Sequence, residues 1–174
     1  MTVRESAVVL CIPEAEELVD RWRHRYDTAA QHGVPAHITL LYPFVPPDSL
    51  TADVDRSLQK LLGRVAPFEI VFSRAGRFGE QVLFLDPEPA EPLVEMIRAL
   101  SGHFGIAPYQ GTIPLDEVRP HLTVVDGHPG VMDEVEAALR PALPISCHVS
   151  EAWIITSDDT WRWSKLRRVA IGVA

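Results

Sequence analysis

The pattern His-apolar-Thr-apolar occurs twice in this chain of 174 residues, as His37-Ile38-Thr39-Leu40 and as His121-Leu122-Thr123-Val124, about half a chain apart. Each copy follows a proline-containing lead-in, Pro35-Ala36 in the first and Arg119-Pro120 in the second. Side chains alternate faces along a strand. His37 and Thr39 therefore share one face, opposite Ile38, Leu40 and Tyr42. His121 and Thr123 share a face opposite Leu122 and Val124. Each motif strand can bury its apolar face and present an imidazole beside a hydroxyl on the other.

The surroundings repeat as well. Ala7 to Ile12 is a continuous apolar run that reads as a buried strand stopped by Pro13. Pro13 to about Ala30 reads as a helix, with Glu14, Glu16 and Glu17 in the turn where the helix dipole favours anions. His37 to Phe44 is a strand. Leu50 to Leu62 is a helix, with Asp48 or Ser49 as N-cap and Gly63 as its stop. Phe68 to Phe72 is a strand. A second pass then gives a strand from Val82 to Leu85, a helix from Ala90 to about Phe104 and a loop from Gly105 to Glu117. It continues with a strand from Pro120 to Val125, a helix from Val131 to Leu139 and a long strand from Ile145 to Ile155. The order strand, helix, strand, helix, strand thus occurs twice, over about 7–73 and 82–155. A last strand, 161–172, completes a sheet. The expected organisation is one bilobal domain over 1–174.

If two such copies pack around a pseudo-twofold axis, two imidazoles and two hydroxyls converge on one cleft. Imidazole titrates near neutrality, so one can act as base while the other acts as acid. A hydroxyl donates to a phosphoryl oxygen without adding charge. The set suits in-line displacement at a phosphodiester and requires no metal or other cofactor. The net charge of -8, from 24 acidic and 16 basic residues, argues against a long nucleic-acid surface, which needs a basic face. A small or terminal phosphate remains open. No apolar run approaches the roughly 18–20 residues of a membrane-spanning helix. No secretory signal is read at the N-terminus. Two cysteines, Cys11 and Cys147, make no disulfide framework, so a reducing, cytoplasmic setting is expected. A monomer is expected as well.

With both motifs in view, the sequence resembles the two-histidine phosphoesterase superfamily, in particular its 2'-5' RNA ligase and RNA cyclic phosphodiesterase group. The resemblance rests on 33–44 (Gly-Val-Pro-Ala-His-Ile-Thr-Leu-Leu-Tyr-Pro-Phe) and on 118–124 (Val-Arg-Pro-His-Leu-Thr-Val). Arg77-Phe78, 83–87 (Leu-Phe-Leu-Asp-Pro) and 108–111 (Pro-Tyr-Gln-Gly) extend it over essentially the whole chain. It implies a bilobal α+β fold with two mostly antiparallel sheets facing across a cleft. It also implies catalytic roles for His37 and His121, phosphate binding by Thr39 and Thr123, and activity on cyclic phosphates or 2'-5' linkages. Ligation of 2'-5' ends is the same chemistry run backwards. Binding of a nucleotide or RNA end without turnover is the second reading. A metal site built from the two histidines and Asp126 is the third.

Tyr109, in a Gly/Pro loop, is a candidate for base stacking. Arg77, placed in a loop after Gly76, is a candidate phosphate contact. Arg119 is expected on the face away from His121. Tyr42 and Phe44 are assigned to the core, and Trp153, Trp161 and Trp163 to core or sheet faces. His32 is assigned to a helix end and Cys11 and Cys147 to buried, inert thiols.

Overall fold

In the computed structural model, residues 4–172 are described. The strands are β1 (Ser6–Cys11), β2 (His37–Leu41), β3 (Phe68–Phe78), β4 (Val82–Glu88), β5 (Leu122–Asp126), β6 (Ile145–Val149), β7 (Glu151–Ser157) and β8 (Trp163–Ala170). The α-helices are α1 (Pro13–Tyr26), α2 (Thr28–Gln31), α3 (Ala52–Leu62), α4 (Glu91–Phe104) and α5 (Met132–Leu139). Two four-stranded antiparallel sheets result, in the orders β2-β1-β7-β8 and β5-β4-β3-β6. Each motif strand forms the edge of its sheet.

The pairing beside each motif is the same to the residue. Val8 faces Leu41 and Val9 faces Thr39, with a register shift between Val8 and Val9. Leu83 faces Val125 and Phe84 faces Thr123, with a register shift between Leu83 and Phe84. A bulge re-aims the side chains beyond it, and here it falls at the same step in both pairs. Val9 and Phe84 are therefore equivalent positions, as are Ala7 and Val82.

The sheets are not the two halves of the sequence. β3 leaves the first half to pair with β4 and β6, and β7 leaves the second half to pair with β1 and β8. The copies at 7–73 and 82–155 thus exchange their third strands. The expected single strand from Ile145 to Ile155 is for this reason two strands broken at Ser150, one in each sheet. A continuous apolar pattern reports that a segment is a strand; it does not report which sheet the strand joins.

Three further corrections bear on local chemistry. The helix expected over 13–30 ends at Tyr26, and extended Asp27 caps α2 by accepting a hydrogen bond from the Ala29 amide at 3.0 Å. The N-cap of α3 is Thr51, which accepts from the Val54 amide, because 47–49 (Pro-Asp-Ser) form a separate 3-10 turn. β3 runs on to Phe78, so Gly76 and Arg77 lie within a strand. Gly76 is there because a Cβ would lie 2.6 Å from the Phe84 ring.

The main core lies on one face of both sheets, under α1, α3, α4 and α5. It holds Val8, Leu10, Ile38 and Leu40 from the first sheet and Leu83, Leu85, Leu122 and Val124 from the second. Phe44 is buried in it, as its sequence context suggests. Alternation sends Ala7 and Val9 to the other face of β1. There they form a smaller cluster with Val34 and Ile155, packed on by Tyr42, Trp153 and Trp163. This second buried face explains why β1 reads as an unbroken apolar run.

Candidate active site

β2 carries His37 and Thr39 on one face, and β5 carries Thr123 with His121 one residue before its start. The two strands approach within 8 Å between Cα atoms where the sheets meet. Each histidine is anchored in the same way. His37 Nδ1 lies 2.8 Å from the Pro35 carbonyl oxygen, and His121 Nδ1 lies 2.8 Å from the Arg119 carbonyl oxygen. A carbonyl only accepts, so Nδ1 carries the hydrogen in both rings and Nε2 keeps its lone pair in the neutral form. The proline-containing lead-in read in the sequence thus places a carbonyl two residues before each imidazole.

The two lead-in segments are themselves held. The Ala36 amide donates to Glu16 Oε2 of α1 at 2.7 Å, and the Ala36 carbonyl accepts from the Ile12 amide at 2.8 Å. On the other side, buried Asp86 accepts from Arg119 Nη2 at 2.7 Å and from Arg74 Nη2 at 2.9 Å. The Arg119 guanidinium lies 4.9 Å from the centre of the Phe84 ring. Residues 118–121 are not in a strand, so the alternation that would send Arg119 to the far face does not operate.

Burial dominates the electrostatics of both rings. His37 is pushed down to about 4, first by loss of solvent, then by the nearby Arg23 charge, with the His121 charge adding to it and the Pro35 carbonyl opposing. His121 is also lowered, mainly by burial, while its bond to the Arg119 carbonyl and the Asp86 charge act in the opposite direction. Both imidazoles are therefore neutral at pH 7 in the empty cleft, and an anionic substrate favours protonation of one.

The His37 shift has a consequence for stability. The unfolded chain takes up this proton near pH 6.5 and the folded chain only near pH 4, so stability is lost as pH falls through that window. The expected loss is of order 3 kcal/mol at its limit. A His37→Asn variant, whose amide can still donate to the Pro35 carbonyl, should lose correspondingly less. Urea unfolding of both proteins at pH 7 and pH 4.5 measures the difference. Equal losses in the two proteins would refute it.

Two cavities flank the histidines. The first, of about 540 Å³, is lined by His37 and Thr39 together with Tyr42, His32, Trp161 and Trp163 over Ala7, Val9 and Ile155. The second, of about 340 Å³, is lined by His121, Thr123, Tyr109, Arg119, Glu117 and Asp126, with Phe78 at its side. Tyr109 stacks on His121 with ring centres 6.2 Å apart and planes 21° apart, and its amide donates to the Tyr42 carbonyl at 2.9 Å. Four of the residues singled out by type and spacing, His37, Thr39, His121 and Thr123, come together, and Tyr109 joins them. Arg77 does not. It lies on β3 and donates to Asp133 at 2.7 Å and to Glu136 at 2.6 Å, in the lining of neither cavity.

Several cavity residues escape a sequence reading. Tyr42 turns into the first cavity because β2 ends at Leu41 and its alternation ends with it. His32 does cap the end of α2, yet it also lines that cavity. Trp161 precedes β8 at a φ of 62° and is 37% exposed, so it is not a sheet-face residue. Its position beside the polar turn 157–160 is the available signal. Cys147 is buried, as expected, whereas Cys11 is only half-buried. Among the described residues no three His, Cys, Asp or Glu side chains are grouped to hold a metal ion, although Asp126 shares a cavity with His121. No described helix is long and apolar enough to cross a membrane.

Two antiparallel sheets that meet at β2 and β5, with a His-x-Thr motif at each of these edge strands, fit the two-histidine phosphoesterase class. The family model described as the 2'-5' RNA ligase superfamily matches residues 12–161, and the chain belongs to that superfamily. The fold is also that of solved relatives. E. coli LigT complexed with NADP+ is 20% identical, with a TM-score of 0.58, over 98% of this chain and 99% of that one. E. coli LigT complexed with 3'-AMP is 20% identical, with a TM-score of 0.57, over 97% and 98%. A protein of Thermus thermophilus is 19% identical, with a TM-score of 0.60, over 97% and 98%. A sequence search among curated proteins finds no match.

Proposed function

We propose that the chain is a metal-independent cyclic phosphodiesterase that opens 2',3'-cyclic phosphates of nucleotides or RNA ends. The observation that carries this reading is the matched pair of imidazoles, each tied at Nδ1 to a carbonyl two residues back and each left with Nε2 to exchange a proton. One neutral Nε2 takes a proton from water as its oxygen attacks phosphorus. The other, protonated, gives its proton to the ribose oxygen as the P–O bond breaks. Thr39 and Thr123 bind the non-bridging oxygens, where charge builds up. Arg119, in the second cavity, takes the part for which Arg77 is a candidate in the sequence. Tyr109 holds the His121 ring by stacking on it and walls the same cavity.

The net charge of -8 favours a small or terminal phosphate over a long nucleic acid. The E. coli relative has been solved with 3'-AMP, with ATP and with phosphate, which supports a small phosphate as substrate. The reading takes 1–174 as one bilobal unit acting as a cytoplasmic monomer. Product analysis on 2',3'-cyclic nucleotides and 2'-5' linked dinucleotides, in the presence of chelator, is the test. Opening of the cyclic substrates to 2'-phosphates is the expected result. Loss of all activity on chelation, or binding without any product, would overturn it.

A further inference from the structure

The two halves of the cleft differ at equivalent positions. Register places Val9 opposite Thr39 and Phe84 opposite Thr123. The buried Phe84 ring lies 5.4 Å from His121 and 4.4 Å from Phe78, and so fills the space beside the second motif. Val9, with Ala7 and Ala29, leaves the corresponding space open. The first cavity is accordingly the larger, about 540 Å³ against about 340 Å³. The chemistry of the walls differs too. The second cavity carries Glu117, Arg119 and Asp126, whereas among the described residues the lining of the first contains no Asp, Glu, Lys or Arg.

A tryptophan marks the mouth of the first cavity. Trp161 is 37% exposed and sits at a φ of 62°, a left-handed conformation that is strained for a bulky residue. The turn that holds it is over-determined. Asp158 Oδ1 accepts from the Thr160 amide at 2.8 Å, from the Thr160 hydroxyl at 2.7 Å and from the Arg162 amide at 3.0 Å. The Trp161 amide donates to the Asp158 carbonyl at 3.1 Å. An exposed, strained tryptophan presented at a cavity rim serves no core and points to a ligand.

We propose that the first cavity seats the nucleobase of a nucleoside phosphate, lying against Trp161 and Trp163 with His32 and Thr28 at hand for its polar edge. The occupant must be joined to the phosphate, because His37 and Thr39 form part of the same wall; to that extent the inference rests on the function proposed above. Its volume falls in the range of small-ligand sites. Uncharged aromatic walls suit a planar base, which stacks without regard to its sequence identity. Val9 is then the residue that decides which side of the cleft accepts the base, and Phe84 the residue that denies it to the other.

The test is equilibrium binding of adenosine 2'-monophosphate and of inorganic phosphate, by calorimetry, to wild type, Val9→Phe and Trp161→Asn. Val9→Phe places in the first half the ring that Phe84 places in the second. Trp161→Asn changes an exposed residue to one that tolerates a left-handed backbone, so folding is preserved even if the first variant fails to fold. Both variants should bind the nucleotide roughly 5- to 100-fold more weakly, the range for loss of a stacked aromatic. Phosphate affinity should stay within about twofold, since the hydroxyls and imidazoles are untouched. Unchanged nucleotide affinity in Trp161→Asn, equal weakening for phosphate, or a wild type that does not prefer the nucleotide to phosphate would each overturn the proposal. Absence of turnover by a wild type that binds as expected would count against the phosphodiesterase reading alone.

Discussion

Replacing His37 or His121 by alanine should lower kcat/KM for 2',3'-cyclic nucleotides by about 10²–10⁴-fold, the usual worth of a positioned acid or base. Each ring is anchored through Nδ1, so alanine removes the proton-exchanging Nε2 and leaves the backbone that carried it intact. The double variant should fall well short of the product of the two single losses, because the acid and the base act in one step. Unchanged circular dichroism and unfolding midpoints would show that the losses are chemical. Full activity in both single variants would remove the histidines from the mechanism. The free-enzyme pH profile adds a sign. Both rings are lowered in the empty cleft, His37 to about 4, so kcat/KM should peak on the acid side of 6.5 and decline as pH rises and the acid form is lost.

Asp27→Ala should cost stability heavily, by about 3–5 kcal/mol, because it leaves a buried charge without its partner. Arg23 is 1% exposed, and its guanidinium meets Asp27 through Nε at 3.0 Å and Nη2 at 2.9 Å. The same carboxylate caps α2, which adds about 1 kcal/mol to the expected loss. Burial pushes the Asp27 carboxyl above its ordinary value, and the Arg23 charge holds it down against that pressure. A double variant, Arg23→Met with Asp27→Leu, removes both charges and should recover most of the loss. Urea unfolding of the three proteins measures it. A single variant as stable as wild type would show that the pair is not what holds Arg23 in place. The pair also matters to the site, since the Arg23 charge is one cause of the low His37 value.

Legibility varies with how local the cause is. β1 is recognisable as a buried strand because both of its faces are apolar, Val8 and Leu10 toward the main core and Ala7 and Val9 toward the cleft. The α3 cap falls two or three residues from its expected place because Ser49, Thr51 and Asp48 are all competent caps, and the 3-10 turn at 47–49 decides among them. Arg77 looks free in the sequence. Its partners, Asp133 and Glu136, are more than fifty positions away and meet it only when α5 packs near β3. Alternation puts Trp161 and Trp163 on one strand face, whereas the turn around Asp158 takes Trp161 out of the strand.

The sequence alone determined the pair of His-x-Thr motifs, the side of β2 on which His37 and Thr39 fall, and the proline-containing lead-in before each ring. These follow from period-2 alternation and from residues one or two positions apart, relations that any extended segment must keep. Tertiary structure alone decided that β3 and β7 change sheets, that Arg119 rather than Arg77 stands by the second histidine, and that Val9 opens a cavity where Phe84 closes one. Those outcomes depend on which distant side chains share a volume, and packing assigns that volume only once both sheets are in place.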